Sequence, residues 1–318
     1  MQSLLKRKGL NVYLALIGAT IIILLWTFPA TTWAQNLYVA YPGNDAVGEC
    51  DATTGATISS FTSPTGLNNP DGLAISRTDL YVASNATVGE YNATTGAGIA
   101  GFTSPSIPGD PFGLAISGND LYVSNLDYVV GEYNATTGAT ISASLISGLF
   151  QPSGLAISGN DLYVANYGPN GSTFTVGEYN ATTGTAVSSF STINTGLDYP
   201  EALAISGNDL YVSNEGSGTV GEYNATTGMA IAADLITGLD APGGIAISGS
   251  DLYVETGGTV VEYNATTRDT VAGFASFTGS NAFALAISPV PEPGTWALVV
   301  SCFGFLGGIH GFRRARHS

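Results

Sequence analysis

One text of about 42 residues, written six times, constrains this chain more than any other feature. Its clearest copy occupies residues 112–142, FGLAISGNDLYVSNLDYVVGEYNATTGATIS. The Tyr of the LYV run falls at Tyr38, Tyr81, Tyr122, Tyr163, Tyr211 and Tyr253, spaced 43, 41, 41, 48 and 42 residues apart. A repeat in the low forties is the length of one four-stranded propeller blade. Each copy divides into four short runs, GLAIS, DLYVS, VVGEY and GATIS in this example, rich in Leu, Ile, Val and Tyr and separated by turn residues. A lone four-stranded sheet cannot bury both of its faces, whereas six arranged radially bury one another.

The turns between the runs have their own chemistry. Ser117-Gly118-Asn119-Asp120 joins the first two runs, and its Gly-Asn pair supplies the positive φ of a tight hairpin. Asn134-Ala135-Thr136-Thr137-Gly138 joins the third and fourth; the Asn side chain can bond the backbone two residues on, and the Gly takes the left-handed closing position. No stretch between residues 36 and 289 has a helical period, which excludes a βαβ design. The first unit starts at Asn36 without a LAIS run, and the last is followed by a surplus one, FALAIS, at residues 283–288. The sequence therefore predicts an all-β, six-bladed β-propeller over residues 35–289. Residues 284–288 supply the innermost strand of the blade that holds residues 36–60, which removes exposed sheet edges.

Both ends differ from this middle. Residues 1–34 place Lys6, Arg7 and Lys8 before the apolar run 12–26 and end on Thr32-Trp33-Ala34, the order of an export signal helix cleaved after Ala34, with an uncleaved anchor as the alternative. Residues 290–318 open on Pro291, Glu292 and Pro293, continue through a mostly apolar stretch at 295–312 and close on Arg313, Arg314 and Arg316. That stretch is long enough to predict a short transmembrane helix with its arginines on the cytoplasmic side.

Charge narrows the function. Of the chain's 24 acidic residues, 23 lie in residues 35–289, against only Arg77 and Arg268, a balance of −21 with neither Lys nor His. Nucleic acid is excluded as a partner because phosphate binding needs clustered cations. The same residues offer no His or Lys for acid-base work near neutral pH, and Cys50 stands in a repeat position without a base.

The tail resembles a PEP-CTERM sorting signal, on the Pro291-Glu292-Pro293 triplet, the apolar stretch and the terminal arginines in that order. That resemblance implies an exported protein that pauses in the inner membrane and is processed by an exosortase-type enzyme. It would then reach the cell surface or extracellular matrix, with exopolysaccharide or a surface protein as partner. The LYVSN and EYNATTG elements resemble the NHL and YVTN-type propellers, a group that implies the fold but spans binding scaffolds, surface proteins and lactonases.

Three sets of residues are candidate sites. Glu49, Glu90, Glu132, Glu178, Glu222 and Glu262 recur once per unit at one position and read as scaffold on a solvated blade position, since catalytic carboxylates need dissimilar environments. The Asn-Ala-Thr sequons at Asn85, Asn92, Asn134, Asn180, Asn224 and Asn264 invite a glycosylation reading, but the last five are the hairpin Asn and read as turns, because Asp51 fills the same place in the first unit. The residue ahead of the inner strand varies: Asp71, Phe112, Ser153, Glu201, Gly243 and Phe283. Asp71 and Glu201, with Asn125, Asn166 and Asn214 from adjoining loops, would give hard oxygen ligands for Ca²⁺ at the channel mouth. Two functions follow: a non-enzymatic binding or structural module, or a divalent-metal-dependent, lactonase-like hydrolase.

Overall fold

The computed structural model describes residues 12–17, 20–25, 35–169, 171, 173–275, 277–278 and 282–288. The chain divides into two compact units, Met1–Ala34 and Gln35–Ser318. In the first, Val12–Ile17 pairs antiparallel with Thr20–Leu25, Ile17 facing Thr20. These residues therefore form strands where the signal reading expects a helix. The run is rich in β-branched residues, Thr20 and Ile21 to Ile23 above all, which lose rotamer freedom in a helix and favour extended backbone. Among the described residues no helix is long and apolar enough to cross a membrane. Ala34, the expected C-terminal helix at 295–312, and Pro291, Glu292, Pro293, Arg313, Arg314 and Arg316 lie outside the described residues.

Among its described residues the second unit is all-β, built of six small antiparallel sheets. Five take their first three strands from consecutive chain: in the third repeat Pro111–Ser117, Asp120–Asn125 and Val129–Asn134. The exception is the sheet of Asn36–Tyr41 and Ala46–Asp51, whose third member is Leu285–Ile287. Leu285 faces Val39, Ala286 faces Tyr38 and Ile287 faces Leu37, so the two ends of the repeat region share one sheet, as the surplus LAIS run predicts.

The fourth strand is less regular than the sequence implies. Thr140–Ile146 and Ala230–Thr237 are full outer strands and Phe277–Thr278 is a short one, but elsewhere the run shrinks to single bridges such as Cys50↔Thr57 and Tyr91↔Gly98. In the first two units Phe-Thr-Ser-Pro follows at once, at residues 61–64 and 102–105, and the proline takes a donor away from any longer ladder.

The core lies between sheets. Side chains alternate along a strand, so Leu and Val of LYV point one way and Tyr the other. Tyr38 accordingly packs with Leu80 and Val82 of the next unit, Tyr81 with Leu121 and Val123, Tyr122 with Leu162 and Val164, and Tyr163 with Leu210 and Val212. Tyr211 joins Leu252 and Val254, and Tyr253 returns to Leu37, Val39 and Leu285. Six apolar clusters thus link the sheets in a closed cycle.

Candidate functional site

The inner strands line a central channel. Each inner strand from the second unit to the fifth begins with a Pro and a register shift, between Pro70 and Gly72, Pro111 and Leu114, Pro152 and Leu155, and Pro200 and Leu203. Proline is tolerated at a strand's first residue, and the irregularity re-aims the side chain that follows it. That side chain is Asp71, Phe112, Ser153 or Glu201, the variable position of the repeat. The glycine after it lets neighbouring backbones meet: a Cβ on Gly72 would fall on the Phe112 carbonyl, and one on Gly113 on that of Ser153.

One end of the channel is a cavity of about 70 Å³ lined by Asp71, Phe112, Glu201, Gly243 and Phe283 among others. Phe112 and Phe283 meet edge to face there, ring centres 5.6 Å apart. The other end, about 240 Å³, is lined by the Leu-Ala-Ile runs of the inner strands, with Ile245 in place of Leu in the sixth unit. Beside the mouth, a further opening of about 260 Å³ brings Glu201, Glu215, Asp240 and Glu255 together.

Burial at the mouth raises its carboxyls above the usual carboxylate range. Glu201 Oε1 accepts the Tyr167 hydroxyl at 2.6 Å, and its shielded Oε2 has no partner among the described residues. Burial pushes Glu201 up to about 7; the Tyr167 bond opposes this, and Glu215 and Asp71 add to it. Burial likewise carries Asp71 to about 6, against the hydrogen bond that Asn69 Nδ2 donates at 2.6 Å and with Asp110 adding to the rise. Glu255, buried, goes to about 7, burial outweighing the Gly258 and Gly243 amides at 2.8 and 3.1 Å.

Of the expected calcium ligands, Asp71 and Glu201 do share the mouth, but the three asparagines do not join them. Asn125 Oδ1 accepts the Asp127 amide at 3.0 Å, Asn166 Oδ1 that of Phe150 at 2.6 Å and Asn214 Oδ1 that of Asp198 at 3.2 Å. Their carbonyl oxygens clamp loops, and Asn125 and Asn214 are fully buried. Among the described residues no three of His, Cys, Asp and Glu are grouped to hold a metal ion.

The recurring glutamates need a correction. Glu49, Glu90, Glu132, Glu178 and Glu262 are buried and Glu222 is half-buried, not solvated, because the position faces the seam between sheets. The Asn hairpins are turns as expected: Asn134 Oδ1 accepts the Thr136 and Thr137 amides at 3.1 and 2.9 Å, and Asp51 does the same for Thr53 and Thr54 at 3.0 and 2.8 Å.

Two features escape the sequence reading. Glu255 stands where other units have Ser124 or Ser213, whose hydroxyls accept the Gly113 and Ala202 amides. Its departure from the repeat, at a position bonding the inner strand, is the signal that marks it. The other is an aromatic rim. Tyr128 stacks on Phe150 at 5.2 Å, while Tyr167, Phe174 and Tyr199 meet pairwise at 4.8 to 5.8 Å. Tyr128 and Tyr199 are 46% and 43% exposed and hold φ of 76° and 51°, a region that non-glycine residues enter at a cost.

No family model matches the chain, and no curated protein matches it. Among solved structures it is similar to a chain from the crystal structure of a nidogen/laminin complex, 15% identical, with a TM-score of 0.63 over 80% of this chain and 99% of that one. It also superposes on the computationally designed Ika8 protein, 17% identical, over 76% of this chain and 74% of that one; at a TM-score of 0.46 that match is too loose to bear on the chain. The first likeness is one of fold, and with the all-β sheets it makes the repeat region a β-propeller.

Proposed function

We propose that this chain is an exported, six-bladed β-propeller that acts as a non-enzymatic binding module at the cell surface or in the extracellular matrix. In this reading each of the six sheets is one blade, a count supported by the closed cycle of apolar clusters. Residues 1–34 direct export. The PEP-CTERM-like tail then holds the chain in the inner membrane until an exosortase-type enzyme releases it.

The aromatic rim carries the binding assignment. Large exposed apolar side chains on loops mark interaction surfaces, and tyrosine combines a flat apolar face with a hydroxyl. Holding two such residues in left-handed backbone costs stability, of order 1–3 kcal/mol each, which selection tolerates where the side chain's direction matters. Carboxylates nearby, Asp127, Asp198 and Glu215, would accept hydroxyl hydrogens. The net negative charge of the domain disfavours polyanions. A neutral polysaccharide fits both conditions.

Affinity electrophoresis through gels holding a neutral β-glucan or alginate tests this. Retardation by the glucan alone, reduced at least several-fold in Tyr128→Ala/Tyr199→Ala, is the expected result. Unretarded migration in both gels would overturn the polysaccharide assignment. Intact mass from the native host checks sorting: the mature chain should begin at Gln35 and lack the residues after about 293.

The metal-dependent, lactonase-like alternative draws on Glu201, whose free Oε2 and raised acidity range suit a proton acceptor. It has less support, because three of its five ligands are engaged by backbone amides.

A further inference from the structure

A tyrosine hydroxyl has one hydrogen, and at the seams between sheets it has two oxygens to satisfy. The Tyr38 hydroxyl lies 2.9 Å from the Ala93 carbonyl oxygen of the next unit and 2.8 Å from Glu49 Oε1. Tyr81 lies 3.0 Å from the Ala135 carbonyl oxygen and 3.1 Å from Glu90 Oε1. A carbonyl oxygen only accepts, so a tyrosine hydrogen given to the alanine leaves none for an ionised carboxylate; Glu49 Oε1 has a second donor in Asn36 Nδ2 at 2.6 Å, and Glu90 is the sharper case. A protonated carboxyl resolves the shortage, since it donates its own hydrogen to the tyrosine oxygen.

The fourth and sixth units make the same point without a glutamate bond. Tyr163 donates to the Ala225 carbonyl at 2.9 Å and Tyr253 to that of Ala52 at 2.8 Å. Their cross-strand partners, Glu178 and Glu262, are 6% and 5% exposed, and the Oε2 of each is shielded with no donor among the described residues. An ionised carboxylate with one oxygen shielded and without a donor is a costly state for a protein to hold.

We propose that the seams are built around protonated glutamates, so that the sheets hold together most tightly in mildly acidic surroundings and loosen as these turn alkaline. The charged and titratable neighbours point the same way. Each glutamate lies opposite the LYV tyrosine, and the aspartate two residues before that tyrosine opposes its ionisation: Asp79 for Glu90, Asp120 for Glu132, Asp161 for Glu178 and Asp251 for Glu262. Glu222 has Asp209 on one side, with Arg268 and Tyr211 countering it; Glu49 meets Tyr38 and Asn36. Burial is the largest cause in all six and raises every one, Glu178 and Glu262 to about 7.

The sign follows from linkage. A glutamate that binds its proton more tightly folded than unfolded contributes stability that is complete below the unfolded value. That contribution disappears as pH rises through the folded value, here between about 4.5 and about 7 for Glu178 and Glu262.

Chemical unfolding of the full chain at several pH values, with Glu178→Gln/Glu262→Gln alongside, tests the device. The unfolding constant of the natural chain should rise at least about tenfold between about pH 5 and about pH 8. The double variant, uncharged at every pH and able to donate, should show a flatter profile and exceed the natural chain at the alkaline end. A natural chain with a flat profile, or a variant weakened equally across the range, would overturn the proposal. Infrared spectra guard against a variant that fails to fold. A protonated-carboxyl stretch in the natural protein near neutrality is expected, and its absence would be equally fatal.

Discussion

The hairpins that close the third strand and the loops that surround the mouth sit at opposite ends of the same strands, and they obey opposite rules. At the hairpins the text barely changes, because each turn also touches the neighbouring unit. Gly96 approaches the Thr62 carbonyl oxygen, Gly138 that of Thr103, Gly184 that of Leu145 and Gly228 that of Ser191 so closely that a Cβ would collide. At the mouth Asn125, Asn166 and Asn214 clamp loops of their own units, contacts such as Tyr167 to Glu201 cross between units, and the outward residues differ from unit to unit. Repetition therefore marks contact between sheets, and variation marks freedom to meet something else.

The comparison can be broken most severely where the two ends of the chain meet. Deleting residues 283–288 removes the strand that covers Asn36–Tyr41, together with Leu285 and Ala286 from two apolar clusters. Truncating one buried leucine costs about 2–5 kcal/mol, and here a whole strand goes with it. Cooperative thermal unfolding, followed by circular dichroism, should be lost. An unchanged transition would show that the sheets do not depend on closure.

A smaller effect is expected from Gly138→Ala. The site combines φ of 73° with the approach to the Thr103 carbonyl. Left-handed backbone and overpacking together should cost about 2–4 kcal/mol. The same exchange at Gly118, φ 61° with open space around it, should cost only about 1 kcal/mol. Denaturant midpoints of the two variants separate contact from backbone conformation. Equal losses would mean that the neighbouring unit yields freely.

Much of this fold was legible in the sequence because it is stated six times: the strands, the hairpin glycines, the Asn turns and the surplus closing run follow from period and turn chemistry. What was not legible has a common physical origin. Alternation tells which residues share a face, but in stacked sheets both faces are covered, so it could not show that Glu178 or Glu262 lies in a seam. An asparagine in a loop presents the same carbonyl oxygen whether it clamps an amide, as Asn166 does, or awaits a ligand. The aromatic rim pairs Tyr128 with Phe150 and Tyr167 with Tyr199, residues far apart in the chain, and no local pattern reveals that each pair touches.

The smallest effect is the most discriminating. Arg268 occupies the hairpin position that is Gly55, Gly96, Gly138, Gly184 and Gly228 elsewhere, and it keeps φ of 69° and the amide bond to the Asn264 carbonyl at 2.7 Å. Its side chain is exposed, so this hairpin has the backbone of the others without their collision. Replacing it by Gly relieves about 1–2 kcal/mol of left-handed strain, offset by the greater freedom of Gly in the unfolded chain, about 0.4–1 kcal/mol. A net gain of about 0.5–1 kcal/mol is expected. Arg268 also attracts the Glu222 carboxylate, holding down a group that burial raises. That attraction exists only while Glu222 is ionised, so Arg268→Gly should stabilise more in acid than at neutral pH. Denaturant midpoints of this variant at the two pH values read both terms at once. A gain independent of pH would leave strain as the whole effect, and a loss at acid pH would show that this hairpin tolerates its side chain for a reason of packing.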